Sequence, residues 1–172
     1  MPRNVEIKAR AADLEGQIRL AERFADAGPE TIHQEDVFFA CPEGRLKLRR
    51  FPDGRGELIY YERPDASGPK TSEYTIAPVE RADPLRETLA RAFGAVGVVR
   101  KVRTLFLAGR TRIHFDSVEG LGDFIELEVV LGPGEDESEG EATARELMER
   151  LRIAPEDLVE GAYIDRLRPP PA

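Results

Sequence analysis

Apolar and polar residues alternate with a period of two along most of this chain, the spacing that puts successive side chains on opposite faces of a β-strand. Residues 3–10 set Val5, Ile7 and Ala9 against Asn4, Glu6, Lys8 and Arg10. Residues 31–40 predict a second strand with Gln34, Asp36 and Phe38 on one face. Arg45, Lys47 and Arg49 alternate with Leu46 and Leu48, and Pro52-Asp53-Gly54 with Gly56 makes a hairpin loop. Glu57, Ile59, Tyr61 and Arg63 then alternate with Leu58, Tyr60 and Glu62, and Lys70, Ser72, Tyr74 and Ile76 mark a fifth strand. Residues 98–107 predict a sixth, with Lys101 and Arg103 opposite Val102, Thr104 and Phe106. The stretch Arg110 to Leu131 supplies two more, joined through Gly120-Leu121-Gly122. Arg110, Arg112, His114 and Asp116 share a face of the seventh, and Glu126 and Glu128 share a face of the eighth.

Three segments change to helical spacing. Asp13 caps Leu14, Ile18, Ala21 and Ala25, and Gly28-Pro29 ends that helix. Asp83-Pro84 starts a helix with Leu85, Leu89, Ala92 and Phe93 as its buried stripe, ended by Gly94. Ser138-Glu139-Gly140-Glu141 reads as a capping box ahead of Ala144, Leu147, Met148 and Leu151. Pro155 begins a short helical turn, and residues 163–167 close the fold. Strands that follow one another directly meander and are therefore antiparallel. The helical stripes need an apolar surface, and the apolar face of the sheet provides it. The expected class is α+β: an eight-stranded antiparallel sheet able to close into a barrel, helices outside and charged faces inside.

Composition narrows the function classes. With 172 residues, 41% apolar and 34% charged, the chain suits one soluble globular domain. A net charge of −8 argues against nucleic acid or an anionic membrane as the main partner. Cys41 is the single cysteine, which excludes an internal disulfide and a cysteine zinc site. The start M-P-R-N-V-E-I-K lacks an apolar stretch and no run reaches 18 apolar residues, so the cytoplasm is the default location. The acidic run Gly134 to Glu141 and the tail Pro169 to Pro171 are the biased segments and are expected to be disordered.

Charge changes the picture most on the polar face. Nearly every strand places a cation there, although the protein is net acidic. The pattern alone leaves two readings: the solvated face of an ordinary sheet, or a lumen whose Arg and Lys side chains hold a phosphate chain. In the second reading the carboxylates are hard oxygen ligands for Mg²⁺ or Mn²⁺.

The start Val5-Glu6-Ile7-Lys8, the cation-bearing alternating strands and the late Glu126-Leu127-Glu128 resemble the CYTH superfamily, the triphosphate tunnel metalloenzymes, over roughly residues 3–167. Arg103-Thr104-Leu105-Phe106 followed by Val118-Glu119-Gly120-Leu121-Gly122-Asp123-Phe124 looks like the class IV adenylyl cyclase branch. The resemblance implies a closed eight-stranded tunnel, one CYTH-like domain over residues 1–168, and a disordered tail at 169–172. It implies Glu6, Glu126 and Glu128 as ligands for Mg²⁺ or Mn²⁺, with Asp116 close to the metal. It implies Lys8, Lys47, Arg49, Arg63, Lys70, Lys101, Arg103 and Arg112 as the phosphate-holding set, with Lys8, Asp116 and Arg112 in the catalytic machinery. Asn4 stands where the family usually has its first Glu, which removes one formal charge. The implied reaction converts ATP to cyclic AMP and pyrophosphate. The alternatives are a triphosphatase acting on tripolyphosphate, thiamine triphosphate or a nucleotide, and a non-catalytic polyphosphate- or nucleotide-binding module. The implied partner is a small triphosphate, with no nucleic acid and no membrane; a homodimer stays open. His114, Tyr60 and Tyr61 are read as packing residues, His33 as a surface residue and Cys41 as incidental.

Overall fold

The structure, a computed structural model, describes residues 1–167, so the tail at 169–172 lies outside the described residues. Its strands are β1 (Arg3–Arg10), β2 (Ala27–Phe39), β3 (Arg45–Arg50), β4 (Gly56–Glu62), β5 (Lys70–Val79), β6 (Ala95–Ala108), β7 (Thr111–Val118) and β8 (Gly122–Leu131). Meander neighbours pair as their short loops dictate, in the ladders β2–β3–β4–β5 and β6–β7–β8. The non-local ladders β2–β6, β1–β5 and β1–β8 join these two groups. The result is a closed antiparallel barrel in the order β1-β5-β4-β3-β2-β6-β7-β8. Closure leaves every strand with two neighbours and no free edge.

The barrel's outer wall takes the apolar half of each alternation. Val5, Ile7 and Ala9 of β1, Ile113 and Phe115 of β7, and Ile125, Leu127 and Val129 of β8 form one buried layer. Helices α1 (Leu14–Glu22) and α3 (Glu137–Arg150) cover it with Ala21, Ala144, Leu147 and Met148. Each large side chain in that layer contributes about 1.5–3 kcal/mol on leaving water. Helix α2 (Ala82–Phe93) covers the opposite wall, packing Ala82, Leu85 and Leu89 on Val37, Phe39 and Leu48. No helix among the described residues is long and apolar enough to cross a membrane.

The chain's last described stretch stops one mouth of the barrel. Ladder β1–β5 ends at Glu6, leaving the far end of β1 without a β5 partner. Leu158 bridges to Ala9 there, and the Val159 amide donates to the Lys8 carbonyl at 2.9 Å. The chain then turns at Gly161 into α4 (Tyr163–Leu167). Ala162, Tyr163 and Ile164 pack on Phe38, Val99, Val118 and Phe124, inward positions in register with Asp36, Lys101, Asp116 and Glu126. A Cβ on Gly97 would stand 2.6 Å from Ile164 Cδ1, so this inward position leaves room for the plug by carrying no side chain.

Several local expectations are corrected. The first helix ends at Glu22, and Gly28-Pro29 lies inside β2, where the ladder to β6 shifts register between Ala27 and Glu30. A breaker pair that resembles a helix stop here serves a bulge, where a missing N–H costs no regular ladder bond. Asp83 is not a cap: α2 starts at Ala82 without a side-chain cap, and the Asp83 carboxylate accepts from Arg50. Phe93 and Ala92 face solvent instead of closing the α2 stripe. The cap of α3 is Asp136, which accepts from the Ser138 amide at 3.1 Å, and Ser138 lies within the helix. The acidic run is therefore ordered; the Glu135 carboxylate also accepts from the Gly132 amide and from Arg110.

Candidate functional site

The register of the ladders decides which charges meet inside the barrel. Residues directly opposite on one face of an antiparallel pair stand about 4.5–5.5 Å apart. Glu126 of β8 is flanked by Lys8 of β1 and His114 of β7; Glu128 is flanked by Glu6 and Arg112. Arg103 of β6 faces Asp116 of β7, and Asp36 of β2 faces Arg49 of β3. These groups converge on a cavity of about 330 Å³. Its lining carries Lys8, Lys47, Arg49, Arg63, Lys101, Arg103 and Arg112 against Glu6, Asp36, Glu57, Glu126 and Glu128. Ala162 and Tyr163 form part of the lining from the plug, whereas Ile32, Phe51, Ile59, Ile76 and Leu105 give it apolar surface.

Nearly all these charges are paired. Asp36 accepts from Lys47 at 2.8 Å and from Arg49 through two bonds at 2.8 and 2.9 Å. Asp116 accepts two bonds from Arg103 at 2.7 Å and one from the Tyr163 hydroxyl at 3.1 Å. Lys101 Nζ lies between the two aspartates, 3.9 Å from Asp36 and 3.6 Å from Asp116. Glu126 pairs with Lys8 and Arg103, both at 3.1 Å, and Glu128 Oε2 accepts from Arg112 at 2.8 Å. Arg63 donates to Glu6 and, at 2.9 Å, to the Gly161 carbonyl, which also accepts from Lys8 at 3.3 Å. Cations on the inner wall thus bring their own carboxylates.

Burial and pairing pull the ionisations in opposite directions, and magnitudes decide the outcome. Burial opposes the charge on Asp36, but Arg49, Lys47 and Lys101 outweigh it and hold the carboxyl well below its usual range. Burial likewise opposes Asp116, and Arg103 and Lys101 overcome it. Against burial, Lys8 and Arg103 lower Glu126, while His114, Arg112 and Arg103 bring Glu128 to about 2. Lysines lose the same contest. Burial, helped by Arg103, takes Lys101 down to about 7; burial, with Arg63 and Lys8, takes Lys70 to about 8. Burial also lowers His114.

Ten of the twelve residues expected at the site line one cavity, and two stand apart. Asp116 is fully buried beneath Arg103 and Tyr163 and is not part of the lining. Lys70 is buried opposite Glu6, also outside the lining, and its Nζ has no hydrogen-bond partner. Sequence reasoning passed over three contributors. Asp36 organises three cations, and Tyr163 carries the π-face beneath Lys8 and Lys101. His114 is the third. Its Nδ1 comes 3.8 Å from Glu126 and 3.9 Å from Glu128, completing a group of three ligand atoms within 4.8 Å of one another. The inward alternation of His114 with Arg112 and Asp116 was the available signal. Among the described residues, four buried atoms of lumen residues lack hydrogen-bond partners: Asn4 Oδ1, Gln34 Oε1, Arg63 Nε and His114 Nδ1. Ionised carboxylates beside unused donors fit a divalent cation.

Residues 2–163 match the family model of the CYTH domain. A proposed adenylate cyclase of Methanocaldococcus jannaschii is 22% identical over 168 residues, 94% of this chain and 96% of that protein. The fold matches a Pyrococcus horikoshii protein with a TM-score of 0.82 and 25% identity, covering 94% of this chain and 98% of the other. It also matches a proposed adenylyl cyclase of Hippeastrum with a dominant triphosphatase activity. There the TM-score is 0.62, the identity 13%, and the coverage 89% of each chain.

Proposed function

The chain belongs to the CYTH domain family, and from that premise we propose that it is a metal-dependent enzyme of the class IV adenylyl cyclase type. ATP binds in the lumen and yields cyclic AMP and pyrophosphate. The observation that carries this reading is the stopped, cation-rich lumen in a net-acidic protein. Seven lining cations against five lining carboxylates leave an excess of two positive charges, which together with a divalent ion would offset the close to four negative charges of a triphosphate. Burying that many charges is costly without a compensating ligand.

In this reading Lys8, Lys47, Arg49, Arg63, Lys101, Arg103 and Arg112 bind and align the phosphates. Arg side chains grip oxygens in pairs and Lys side chains act as point charges. Lys70, outside the lining, adds to the positive field from behind Glu6. Glu6, Glu126 and Glu128, with Asn4 nearby, would hold the divalent ion, which when bound offsets negative charge developing on the phosphate oxygens. The ribose 3′-oxygen attacks the α-phosphorus and its proton passes to the departing pyrophosphate or to solvent; the new O–P bond forms as the bond to the pyrophosphate oxygen breaks. Arg112 and Lys8 stabilise the growing charge. Asp116 has its oxygens committed to Arg103 and Tyr163, so its role is to position Arg103. The apolar side chains Ile32, Phe51, Ile76 and Leu105 support an organic group on the substrate. Residues 1–168 act as one unit in this scheme.

A second reading is a triphosphatase, in which water attacks the terminal phosphorus; the activity of the Hippeastrum neighbour favours keeping it. Incubation with ATP, tripolyphosphate or thiamine triphosphate plus Mg²⁺ or Mn²⁺ tests both. Cyclic AMP with pyrophosphate is the expected product, and orthophosphate supports the second reading. Binding without turnover would leave a non-catalytic module. Glu126→Ala and Lys8→Ala should each lower turnover about a hundredfold or more. Unchanged binding and turnover in both variants would overturn the lumen assignment.

A further inference from the structure

We infer that His114 Nδ1 is a nitrogen ligand to the divalent ion held by Glu126 and Glu128, and that this mixed set binds Mn²⁺ in preference to Mg²⁺. The inference rests on the proposal that a divalent ion occupies the lumen, and adds an assignment the oxygen-only ligand set lacks. His114 is 4% exposed and its Nδ1 has no hydrogen-bond partner. A buried polar atom left unpaired is costly, so it calls for a partner. Glu126 Oε2, which also accepts from Arg103, stands 3.8 Å away and Glu128 Oε1 3.9 Å, both too far for hydrogen bonds. Around an octahedron with bonds of about 2.1 Å, neighbouring ligands stand roughly 3.0 Å and opposed ones roughly 4.2 Å apart, so drawing the two carboxylate oxygens slightly closer to Nδ1 would let one ion take all three.

The pairing of Glu128 points the same way. Its Oε2 is taken by Arg112, which leaves Oε1 turned towards His114. Asn4 Oδ1, also buried and unpartnered, lines the same lumen. Mg²⁺ prefers an all-oxygen shell and gives up water reluctantly. Imidazole nitrogen suits the first-row transition ions, and Mn²⁺ accepts nitrogen as well as the carboxylate oxygens that dominate here.

The test uses the full chain loaded with Mn²⁺, with and without imidotriphosphate, and electron spin echo modulation as the readout. The chain has two histidines, and His33 is exposed. A nitrogen coupling that changes when histidine is labelled with ¹⁵N, and disappears in His114→Gln but persists in His33→Gln, is the expected result. Mg²⁺ should displace Mn²⁺ from the wild type only at tenfold or greater excess, and that margin should shrink in His114→Gln. Bound Mn²⁺ without histidine coupling overturns the inference while leaving the triphosphate reading intact. So does a coupling lost in His33→Gln instead. If neither sample binds Mn²⁺, the inference fails; calorimetry with tripolyphosphate alone then tells whether the lumen still takes phosphate. The labelled wild type decides the ligand question even if His114→Gln does not fold.

Discussion

Two pairs of carboxylates lie inside the same barrel and do different work. Asp36 and Asp116 are short, at most 1% exposed, and saturated by Lys47, Arg49, Arg103 and Tyr163. Glu126 and Glu128 reach one methylene further, and their side chains stay 15% and 20% exposed. Glu128 keeps one oxygen free of any short contact with a cation. All four are held below the ordinary carboxylate range. Depressed ionisation therefore does not separate anchor from ligand. What separates them is whether any acceptor capacity remains on the lumen side. The aspartates use theirs to fix the cations and Glu126 spends both oxygens on Lys8 and Arg103, whereas Glu128 keeps one oxygen turned to the lumen.

Removing one member of each class should break this comparison most visibly. Asp116→Ala leaves Arg103 buried without its bidentate partner, and should cost about 3–5 kcal/mol of stability. Glu128→Ala releases Arg112, whose side chain is 34% exposed and can turn to water. It should change stability by no more than about 1 kcal/mol while lowering metal-dependent turnover. Urea denaturation of both variants, alongside turnover, checks the pair. Equal losses of stability would mean that the glutamates are anchors too.

Lys101, between the two aspartates, sharpens the same contrast through pH. Its folded value of about 7 lies below the ordinary lysine value of 10.5, so between these the unfolded chain binds more protons than the native one. Stability of the ligand-free protein should therefore rise with pH through this window and level off near 10.5. The carboxylates act in the same sense, in a lower pH window. Their stabilisation is complete above about 4 and is lost as pH falls towards 2. A triphosphate beside Lys101 restores its proton, so binding at pH 8 should take up a fraction of a proton, and affinity should fall as pH rises from 7 to 9. Calorimetry in buffers of different ionisation enthalpy measures the uptake. Lys101→Met should lose most of it, whereas Glu128→Gln should retain it.

The parts of this arrangement that were legible in the sequence are those with a local cause. Period-two alternation assigned Lys47, Arg49, Arg103 and Arg112 to the inner face, because side-chain direction follows from strand geometry alone. Closure depended on β2–β6 and β1–β8, pairings between residues far apart in sequence, and no local pattern encodes them. The same limit explains the individual misses. Lys8 and Lys70 both alternate inward, but only tertiary packing leaves one in the lining and the other behind it. His114 resembled a lone packing histidine until the β7–β8 register set it beside Glu126. Asp116 carried the right chemistry for a reacting group, and only the side chains stacked over it show that its oxygens are already used.

The smallest expected effect separates the polar wall from the apolar one. Phe51, just beyond the end of β3, lines the cavity with Ile32, Ile76 and Leu105. Ile76 is 43% exposed, so this apolar surface continues to the outside, where it costs free energy unless something covers it. Inorganic tripolyphosphate has nothing apolar to place there; a nucleoside does. Phe51→Ala should raise the KM for ATP roughly fivefold, as removal of about 1 kcal/mol of apolar contact predicts. The same variant should leave KM for tripolyphosphate within about twofold. Equal effects on the two substrates would show that Phe51 supports the barrel and does not contact the organic group. The apolar wall would then be packing, and the polar wall alone would define the substrate.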